Sequence, residues 1–379
     1  MSTQRVWARR LSVMGGVACL VVALMDCAQA QGQTLVIQNQ NNKIYSDLNI
    51  TTTAKSGLDC IQIIDSTNIT IENSQIGPCG GNGINIYNNT GTTSNIQIYD
   101  SYIHPETHRN ECCDYNDGIL VQGAEGNVIS DVVIQGNVIA YGEANIEAPQ
   151  YVDGVTILGN FLLNPRGGNN SRGQNVQVWN STNVFVFNNY TLSSRKGYKY
   201  PEVQEDSINF GFGANFVAIN NYVTGGHTSQ SGCGIIADEA ANNVLFTANR
   251  LVNTGQCGIA IASGTNQLVE GNRIISRDPV PGGGNIAMYV WNQYTEPCGP
   301  VTVSNNIGVF KLQDGTYNSF WNGGGCDQVT TTNNTWDEDA WDILFPPSRK
   351  MPPPLIPPQP RNCVAKSPYS TQTGWPACK

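Results

Sequence analysis

One short unit recurs along this chain and restricts the folds that are open to it. In Val132–Ile139 (VVIQGNVI) an alternating apolar strand is followed by a bend at Asn137 and by a second apolar pair. Strands this short, repeated every 23 to 36 residues without a helical period between them, are typical of a β-solenoid. The bend residues are Ser74, Ser101, Asn137, Asn160, Asn189, Asn221, Asn249, Asn272, Asn306 and Asn334.

The repeat predicts an all-β fold, a right-handed parallel β-helix of about ten coils with an Asn ladder along one bend. Stacked Asn amides can bond to one another and to the turn backbone, which accounts for the choice of Asn. Alternation in the first strand of each coil directs every second side chain inward. The clearest inward pairs are Ile61/Ile63, Ile84/Ile86, Val176/Val178 and Ile208/Phe210.

Three segments are expected along the chain. Residues 1–30 read as a secretory signal peptide of bacterial type, because three arginines precede an apolar run that ends in a small-x-small cleavage site, Ala28-Gln29-Ala30. A lipoprotein signal at Cys27 is the alternative, which the acidic residue before it disfavours. Residues 31–345 are predicted to form the β-helix, and residues 346–379 a Pro-rich tail that either packs along it or extends from it. The protein is therefore expected to be secreted or periplasmic, monomeric and without a membrane span.

The cysteines predict a disulfide-bonded protein. Of the 12 cysteines two fall in the predicted signal, and an even number in an exported chain is typical of disulfides. Pairs about one coil apart are Cys60/Cys79, Cys233/Cys257 and Cys298/Cys326, and Cys363/Cys378 would close a loop in the tail. Adjacent Cys112 and Cys113 form either a vicinal disulfide or two separate bridges. A metal site is the competing interpretation, but the chain has no C-x-x-C motif and only three histidines, so neither metal nor cofactor is expected.

Polar and acidic side chains gather on the outward face of the first strands. One outward column is predicted to contain Gln62, Asn85, Leu120, Glu147, Gln177, Asn209, Ile236, Ala260 and Met288. A second contains Tyr87, Gln122, Trp179 and Asp238, and the turn before these strands carries Asp59, Asn82, Asp117, Gln174 and Asp206. Carboxylates beside exposed aromatic rings provide stacking surfaces for sugars and groups that protonate or activate oxygen. The pattern predicts a polysaccharide partner, and a net charge of −9 without a basic run argues against nucleic acid.

The catalytic candidates are three acids and one histidine. Asp206 follows Glu205 at the end of an inserted loop and is the strongest of them. Glu147 stands in the middle of a strand, where the fold does not need an acid, whereas Asp117 precedes a glycine and is equally explained as a turn residue. His227 lies in the turn one coil beyond Asp206, although a lone surface histidine usually has no role.

Substrate binding is assigned to polar and aromatic side chains on the same face and to basic residues in inserted loops. The side chains on the face are Trp179, Tyr87, Gln177, Asn209 and Asp238. The basic residues are Arg172, Arg195, Lys196 and Lys199. These four are either solvated loop charges or groups that hold the carboxylates of a uronate polymer.

Over roughly Thr34–Trp341 the repeat resembles the pectin-lyase-like right-handed β-helix superfamily. Asn116-Asp117-Gly118 resembles the N-x-D element of polygalacturonase-type glycosidases, Glu205-Asp206 their acidic pair, and Gly226-His227 their Gly-His element. The first element lies three coils before the second instead of one, the glycine after the histidine is missing, and no Arg-Ile-Lys triplet is present. The resemblance implies the fold and leaves the reaction open, because this fold carries several chemistries.

Three functions follow from these patterns. The leading hypothesis is a secreted glycoside hydrolase that uses paired carboxylates. Glu147 and Asp206 are two coils apart, on the order of 10 Å along the stack, which is nearer to the spacing of inverting than of retaining enzymes. The second is a uronate-polymer lyase or C5-epimerase, in which the basic loop residues supply the base and neutralise the substrate carboxylate. The third is a non-catalytic glycan-binding or surface protein.

Overall fold

The computed structural model describes residues 32–106, 116–167, 173–193, 204–225 and 230–344. Coils 1–4 contain β1 (Leu35–Gln38), β2 (Asn41–Ser46), β3 (Asn49–Ile50), β4 (Ile61–Ile64), β5 (Thr67–Glu72), β6 (Gln75–Ile76), β7 (Ile84–Tyr87), β8 (Ser94–Tyr99), β9 (Tyr102–Ile103), β10 (Ile119–Gln122), β11 (Ile129–Gln135) and β12 (Val138–Ala140). Coils 5–8 contain β13 (Ile146–Gln150), β14 (Val152–Leu158), β15 (Phe161–Leu163), β16 (Val176–Trp179), β17 (Thr182–Phe187), β18 (Tyr190–Leu192), β19 (Ile208–Gly211), β20 (Gly213–Ile219), β21 (Tyr222–Thr224), β22 (Cys233–Ala237), β23 (Ala241–Thr247) and β24 (Arg250–Val252). Coils 9–11 contain β25 (Cys257–Ile261), β26 (Gln267–Glu270), β27 (Arg273–Ser276), β28 (Ile286–Trp291), β29 (Val301–Ser304), β30 (Ile307–Phe310), β31 (Phe320–Gly324), β32 (Val329–Thr332) and β33 (Thr335–Trp336).

The three strands of each coil belong to three different parallel sheets of 11 strands each. Sheet 1 contains the first strand of every coil, from β1 to β31, sheet 2 the second, and sheet 3 the third. Parallel crossovers are right-handed in nearly all proteins. The topology therefore fits the predicted right-handed parallel β-helix, with eleven coils in place of about ten.

The predicted inward side chains fill the centre of the helix. All eight residues of the four predicted pairs have no exposed surface. In the middle coils the core is widened by aromatic rings, since Phe210 stacks between Phe216 and Phe246 with ring centroids 5.0 and 5.8 Å away. Sheet 3 ends at the helix α1 (Asp337–Leu344), which buries Ala340.

The predicted Asn ladder is confirmed at the bend between sheets 2 and 3. Asn221, for example, donates from Nδ2 to the carbonyl oxygen of Val186 at 2.8 Å and to Oδ1 of Asn249 at 3.0 Å, and its backbone N–H donates to the same Oδ1. The residue before each ladder position has a positive φ, such as Asn220 (54°) and Gly136 (70°), a conformation that Gly and Asn adopt most readily. This explains why the repeat reads GN or NN at every Asn of the bend except Asn249, which follows Ala248.

Three predicted disulfides join neighbouring coils. Cys60–Cys79, Cys233–Cys257 and Cys298–Cys326 are bonded as their spacing suggested. Such bridges are typical of proteins in oxidising compartments outside the cytosol. Cys112, Cys113, Cys363 and Cys378 lie outside the described residues, as do the predicted signal peptide and the tail.

The described part of the chain contains no helix that has the length and the apolar character needed to cross a membrane.

Candidate functional site

The aspartates in the turn before sheet 1 each hold the backbone of the following coil. Asp59 Oδ1 accepts the N–H of Asn82 at 2.8 Å, Asp117 Oδ1 that of Ala144 at 2.9 Å, and Asp206 Oδ1 that of Cys233 at 2.7 Å. One oxygen of each carboxyl thus closes a coil. The chemistry open to each aspartate depends on what its second oxygen meets.

At Asp117 the second partner is another carboxyl. Three positions on, the other two aspartate coils have the amides Gln62 and Asn209, whereas this coil has Leu120. The carboxyl that acts on Asp117 is that of Glu147, the register partner of Leu120 on the next strand. Burial first, and then the Glu147 carboxylate, raise the pKa of Asp117 well above its usual range. The structure therefore brings two predicted catalytic residues, Asp117 and Glu147, together.

Asp206 belongs to a second and larger group of carboxyls. Its Oδ2 accepts Nδ2 of Asn209 at 2.9 Å, and the same amide donates to Oδ2 of Asp238 at 3.1 Å. Burial first, and then the charges of Glu205 and Asp238, raise the pKa of Asp206 well above its usual range. Asp206 is only 3% exposed, whereas Glu205 and Asp238 are half-buried and reach the surface. We call Glu205, Asp206 and Asp238 the carboxyl cluster.

Aromatic side chains border the carboxyl cluster towards the N-terminal coils. Trp179 lies over Gly211 of the next strand, where a Cβ atom would come within 2.2 Å of Cζ3 of the indole. Its ring is 5.2 Å from that of Phe212, which is 38% exposed and whose N–H donates to the backbone of Glu239. Trp179 thus lies in the predicted outward column, and a glycine on the next strand leaves room for its ring.

A cleft of about 560 Å³ opens on the other side of the carboxyl cluster. Trp291 and Trp321 stand in it with their ring centroids 5.6 Å apart, and they are 40% and 47% exposed. Gly323 permits this arrangement, because a Cβ there would lie 2.6 Å from Cγ of Trp291 and 2.7 Å from Cη2 of Trp321. The lining residues are Gln230, Ser231, Gln256, Gly284, Ile286, Tyr289, Trp291, Gln293, Asn318 and Trp321.

A hydrogen bond joins the cleft to the carboxyl cluster. Ser231, in the cleft wall, donates from Oγ to Oε1 of Glu205 at 2.5 Å. Tyr289 accepts Nε2 of Gln293 at 2.8 Å, and burial first and then the Asp206 carboxylate raise the pKa of its phenol. The cleft and the carboxyl cluster are therefore adjacent.

The prediction for coil 10 was wrong by one residue. Met288 was expected to face outward, but it is fully buried and pairs with Ile259, so Tyr289 takes the outward position beside Ala260. Since side chains alternate along a strand, this shift by one residue reverses every side chain of β28. It also hid Trp291, which the outward spacing of Tyr289 and Trp291 in YVW could have revealed. Trp321 lies on the next strand, β31, beside Tyr289, and was not predicted either.

Two other predicted outward residues point outward but are covered. Ile236 and Ala260 are 5% and 0% exposed, because they pack with the Cys233–Cys257 disulfide and with Tyr289 beneath Tyr294. The Tyr294 hydroxyl donates to Oδ1 of Asp238 at 2.5 Å. The segment that carries Tyr294 thus forms a wall of the site and is fastened to the carboxyl cluster.

The remaining predicted site residues are placed as follows. Gln177 lies between Glu147 and Asn209 in sheet 1, which connects the Asp117–Glu147 pair with the carboxyl cluster. Tyr87 is on β7, four strands from β19 and hence about 19 Å along the stack. The residues His227, Arg172, Arg195, Lys196 and Lys199 lie outside the described part of the chain. Within the described residues no group of three or more His, Cys, Asp or Glu is arranged to hold a metal ion.

No protein-family model matches this chain, and no curated protein matches it in sequence. Among solved structures it is similar to the Dettilon tailspike protein gp208, with 15% identity, a TM-score of 0.45 and coverage of 79% of this chain. The chain spans 62% of the length of that tailspike protein. It is also similar to PfbA, a surface adhesin of Streptococcus pneumoniae, with 12% identity, a TM-score of 0.44 and coverage of 78% of this chain and 70% of PfbA. At these identities the similarity concerns the fold alone.

Proposed function

We propose that this is an exported glycan-binding protein that holds a saccharide in the cleft of sheet 1. The observation that carries the proposal is the pair of exposed indoles, Trp291 and Trp321, above a floor of amide and hydroxyl groups. Indole rings stack on the apolar faces of sugar rings, while amides exchange hydrogen bonds with sugar hydroxyls. Large exposed apolar side chains set in a polar concavity are typical of ligand sites rather than of plain surface.

The cleft is held in shape by its own hydrogen bonds. Gln256 accepts the N–H of Gly284 at 2.9 Å and donates to the backbone of Ser231 at 3.3 Å. Asn318 donates to the carbonyl oxygen of Gly284 at 3.2 Å. A preformed cleft loses little conformational entropy on binding, which favours affinity for a flexible saccharide.

The experiment that tests this proposal is a binding screen of the intact protein against a panel of polysaccharides. On the glycan that binds best, Trp321→Ala should weaken binding at least about tenfold, since aromatic anchors dominate such sites. Trp341→Ala is the matched control, because that indole lies on α1 beneath Lys311, 4.7 Å from the ammonium nitrogen. Equal affinity of the wild type and the Trp321 variant would contradict the proposal.

A second candidate function, hydrolysis of the bound glycan, is supported by the contact between the cleft and the carboxyl cluster. Asp238 receives hydrogen bonds from Tyr294 and Asn209, which hold its carboxyl in place, and it would accept a proton from the attacking water. Glu205, at the cleft wall, would give a proton to the glycosidic oxygen as the bond to the anomeric carbon breaks and the water oxygen bonds to that carbon. Asp206, which is only 3% exposed, would position Asp238 through the Asn209 amide that both carboxyls bind.

Hydrolysis is tested by following reducing ends and absorbance at about 235 nm together, on the glycan that binds. Reducing ends without absorbance would support hydrolysis by the carboxyl cluster. An absorbance rise would instead support the lyase hypothesis, for which the basic candidates lie outside the described residues. Binding without either signal would leave a glycan-binding protein and contradict both enzymatic functions.

A further inference from the structure

We infer that the cleft selects uncharged sugars and rejects uronates. The inference rests on the proposed glycan binding and adds the class of saccharide. It follows from the charges that surround the cleft and from the kind of polar group that lines it.

The side of the cleft that adjoins the carboxyl cluster is acidic. Glu205 is bonded to the lining residue Ser231, and Asp238 is bonded to Tyr294, the neighbour of the lining residue Gln293. Two more acids stand next to them. Asp238 and Glu296 both act on Glu239, whose pKa is raised by slight burial first and then by these two charges. Five carboxyls, Glu205, Asp206, Asp238, Glu239 and Glu296, are thus gathered within one wall of the site.

The basic residues of the described chain lie elsewhere. Lys43 is on sheet 2, and Arg250 and Arg273 are on sheet 3. Lys311 lies over Tyr317 and Trp341 near α1. The others are Lys55, Arg166 and Arg277, and none of the seven described basic residues lines the cleft.

The polar groups that do line the cleft are neutral. Gln230, Gln256, Gln293 and Asn318 present amides, and Ser231 and Tyr289 present hydroxyls. Such groups form hydrogen bonds with sugar hydroxyls without the burial of a charge. A uronate would bring a carboxylate out of water and towards like charges, without a cationic partner among the described residues to compensate.

The test compares oligosaccharides that differ only at C6. The probes are cellohexaose against the β-1,4-linked hexaglucuronate, and hexagalacturonate against its carboxyl-reduced product. In the pair of oligosaccharides that binds, titration calorimetry at pH 7 and low salt should show at least about tenfold higher affinity for the neutral member than for the uronate, because juxtaposed like charges are costly. The difference should shrink in high salt, which screens the acidic wall.

A variant that removes two of the acidic charges tests whether these charges cause the discrimination against uronates. Glu239→Gln with Glu296→Gln removes two acidic charges outside the lining, and should strengthen uronate binding several-fold while affinity for the neutral probe stays within twofold. Equal binding of both members of a pair, or tighter uronate binding, would overturn the inference and leave the proposed function intact. Absence of binding by every probe, together with silence in the wider screen, would overturn the proposed function itself.

Discussion

The Asp117–Glu147 pair and the carboxyl cluster each contain a turn aspartate with the same backbone role, but the side chains around the two aspartates differ. Asp117 and Asp206 occupy the same place in their coils, and each accepts the N–H that opens the next coil. Beside Asp117 the residue three positions on is Leu120, and the nearby acid is Glu147, the register partner of Leu120. Beside Asp206 that residue is Asn209, which binds two carboxyls, and an aromatic cleft adjoins. A turn aspartate therefore serves first to bind the backbone of the next coil. Whether it also belongs to a functional site depends on the side chains around it.

The largest difference is expected in catalysis. If the bound glycan is hydrolysed, Asp238→Asn or Glu205→Gln should lower the rate by about 10²–10⁴, the usual contribution of a general acid or base. Asp117→Asn should lower it less than about threefold, because that residue has no contact with the cleft lining. Release of reducing ends measures all three. Equal losses at Asp117 and Asp238 would contradict the distinction between the two groups.

The next difference is in stability. Asp206→Ala leaves the Cys233 N–H without an acceptor and removes one of the two acceptors of the Asn209 amide, and it should cost about 2–4 kcal/mol in the free energy of unfolding. Asp117→Ala leaves only the Ala144 N–H unpaired and should cost about 1–2 kcal/mol. Urea denaturation of both variants gives the two values. The reverse order would mean that the Asp117–Glu147 pair has the larger structural role.

The pH dependence of stability should isolate the Asp117–Glu147 pair. Because the folded-state pKa of Asp117 is raised above the ordinary 3.8, the folded chain binds more protons, and its stability falls as pH rises from about 4 through the folded-state pKa. Asp117→Asn keeps the acceptor for Ala144 and a donor towards Glu147 but cannot ionise. It should match the wild type near pH 4 and become the more stable of the two as pH rises.

Thermal melts across this pH range measure the effect. Glu125→Gln, at an exposed position, is the control for loss of one carboxylate. A wild type and an Asp117→Asn variant that melt in parallel at every pH would show that Asp117 is not held protonated by the fold.

The smallest effect is expected from a variant that gives Asp117 the amide neighbour that Asp59 and Asp206 have. Gln62 donates to Oδ2 of Asp59 at 2.8 Å from three positions on, so Leu120→Gln should offer the same bond to Asp117. A donor to the carboxylate lowers the pKa of Asp117 and should recover about 0.5–1.5 kcal/mol at neutral pH, the worth of one hydrogen bond. The stability profile against pH should flatten. An unchanged profile would show that Glu147 keeps the second oxygen.

The fold was predictable from the sequence because its causes are local and repeated. The bend at Asn137, the alternation at Ile61 and Ile63, and the one-coil spacing of Cys233 and Cys257 each return at the repeat period. Stacking of such units is what a solenoid consists of. The grouping of Asp206, Asn209 and Asp238 on one face could be predicted for the same reason.

The aromatic cleft was not predictable in the same way. The insertion at 278–285 before β28 removes the repeat that would fix the register, and Met288 suits either face of a strand. The role of Asp117 in closing a coil also depends on its distance to Ala144 of another coil, which the sequence does not state. Both features depend on contacts between coils rather than on patterns within one coil.

Hydroxyl-radical footprinting with the best-binding oligosaccharide tests most directly whether glycan binds in the cleft beside the carboxyl cluster. Bound sugar should lower the oxidation of Trp291 and Trp321 and leave Tyr87, about 19 Å along the stack from the carboxyl cluster, unchanged. Trp341 on α1 serves as an internal reference. Protection of Tyr87 with unaltered oxidation of both cleft indoles would contradict the account and move the binding site to the Asp117–Glu147 end of the face.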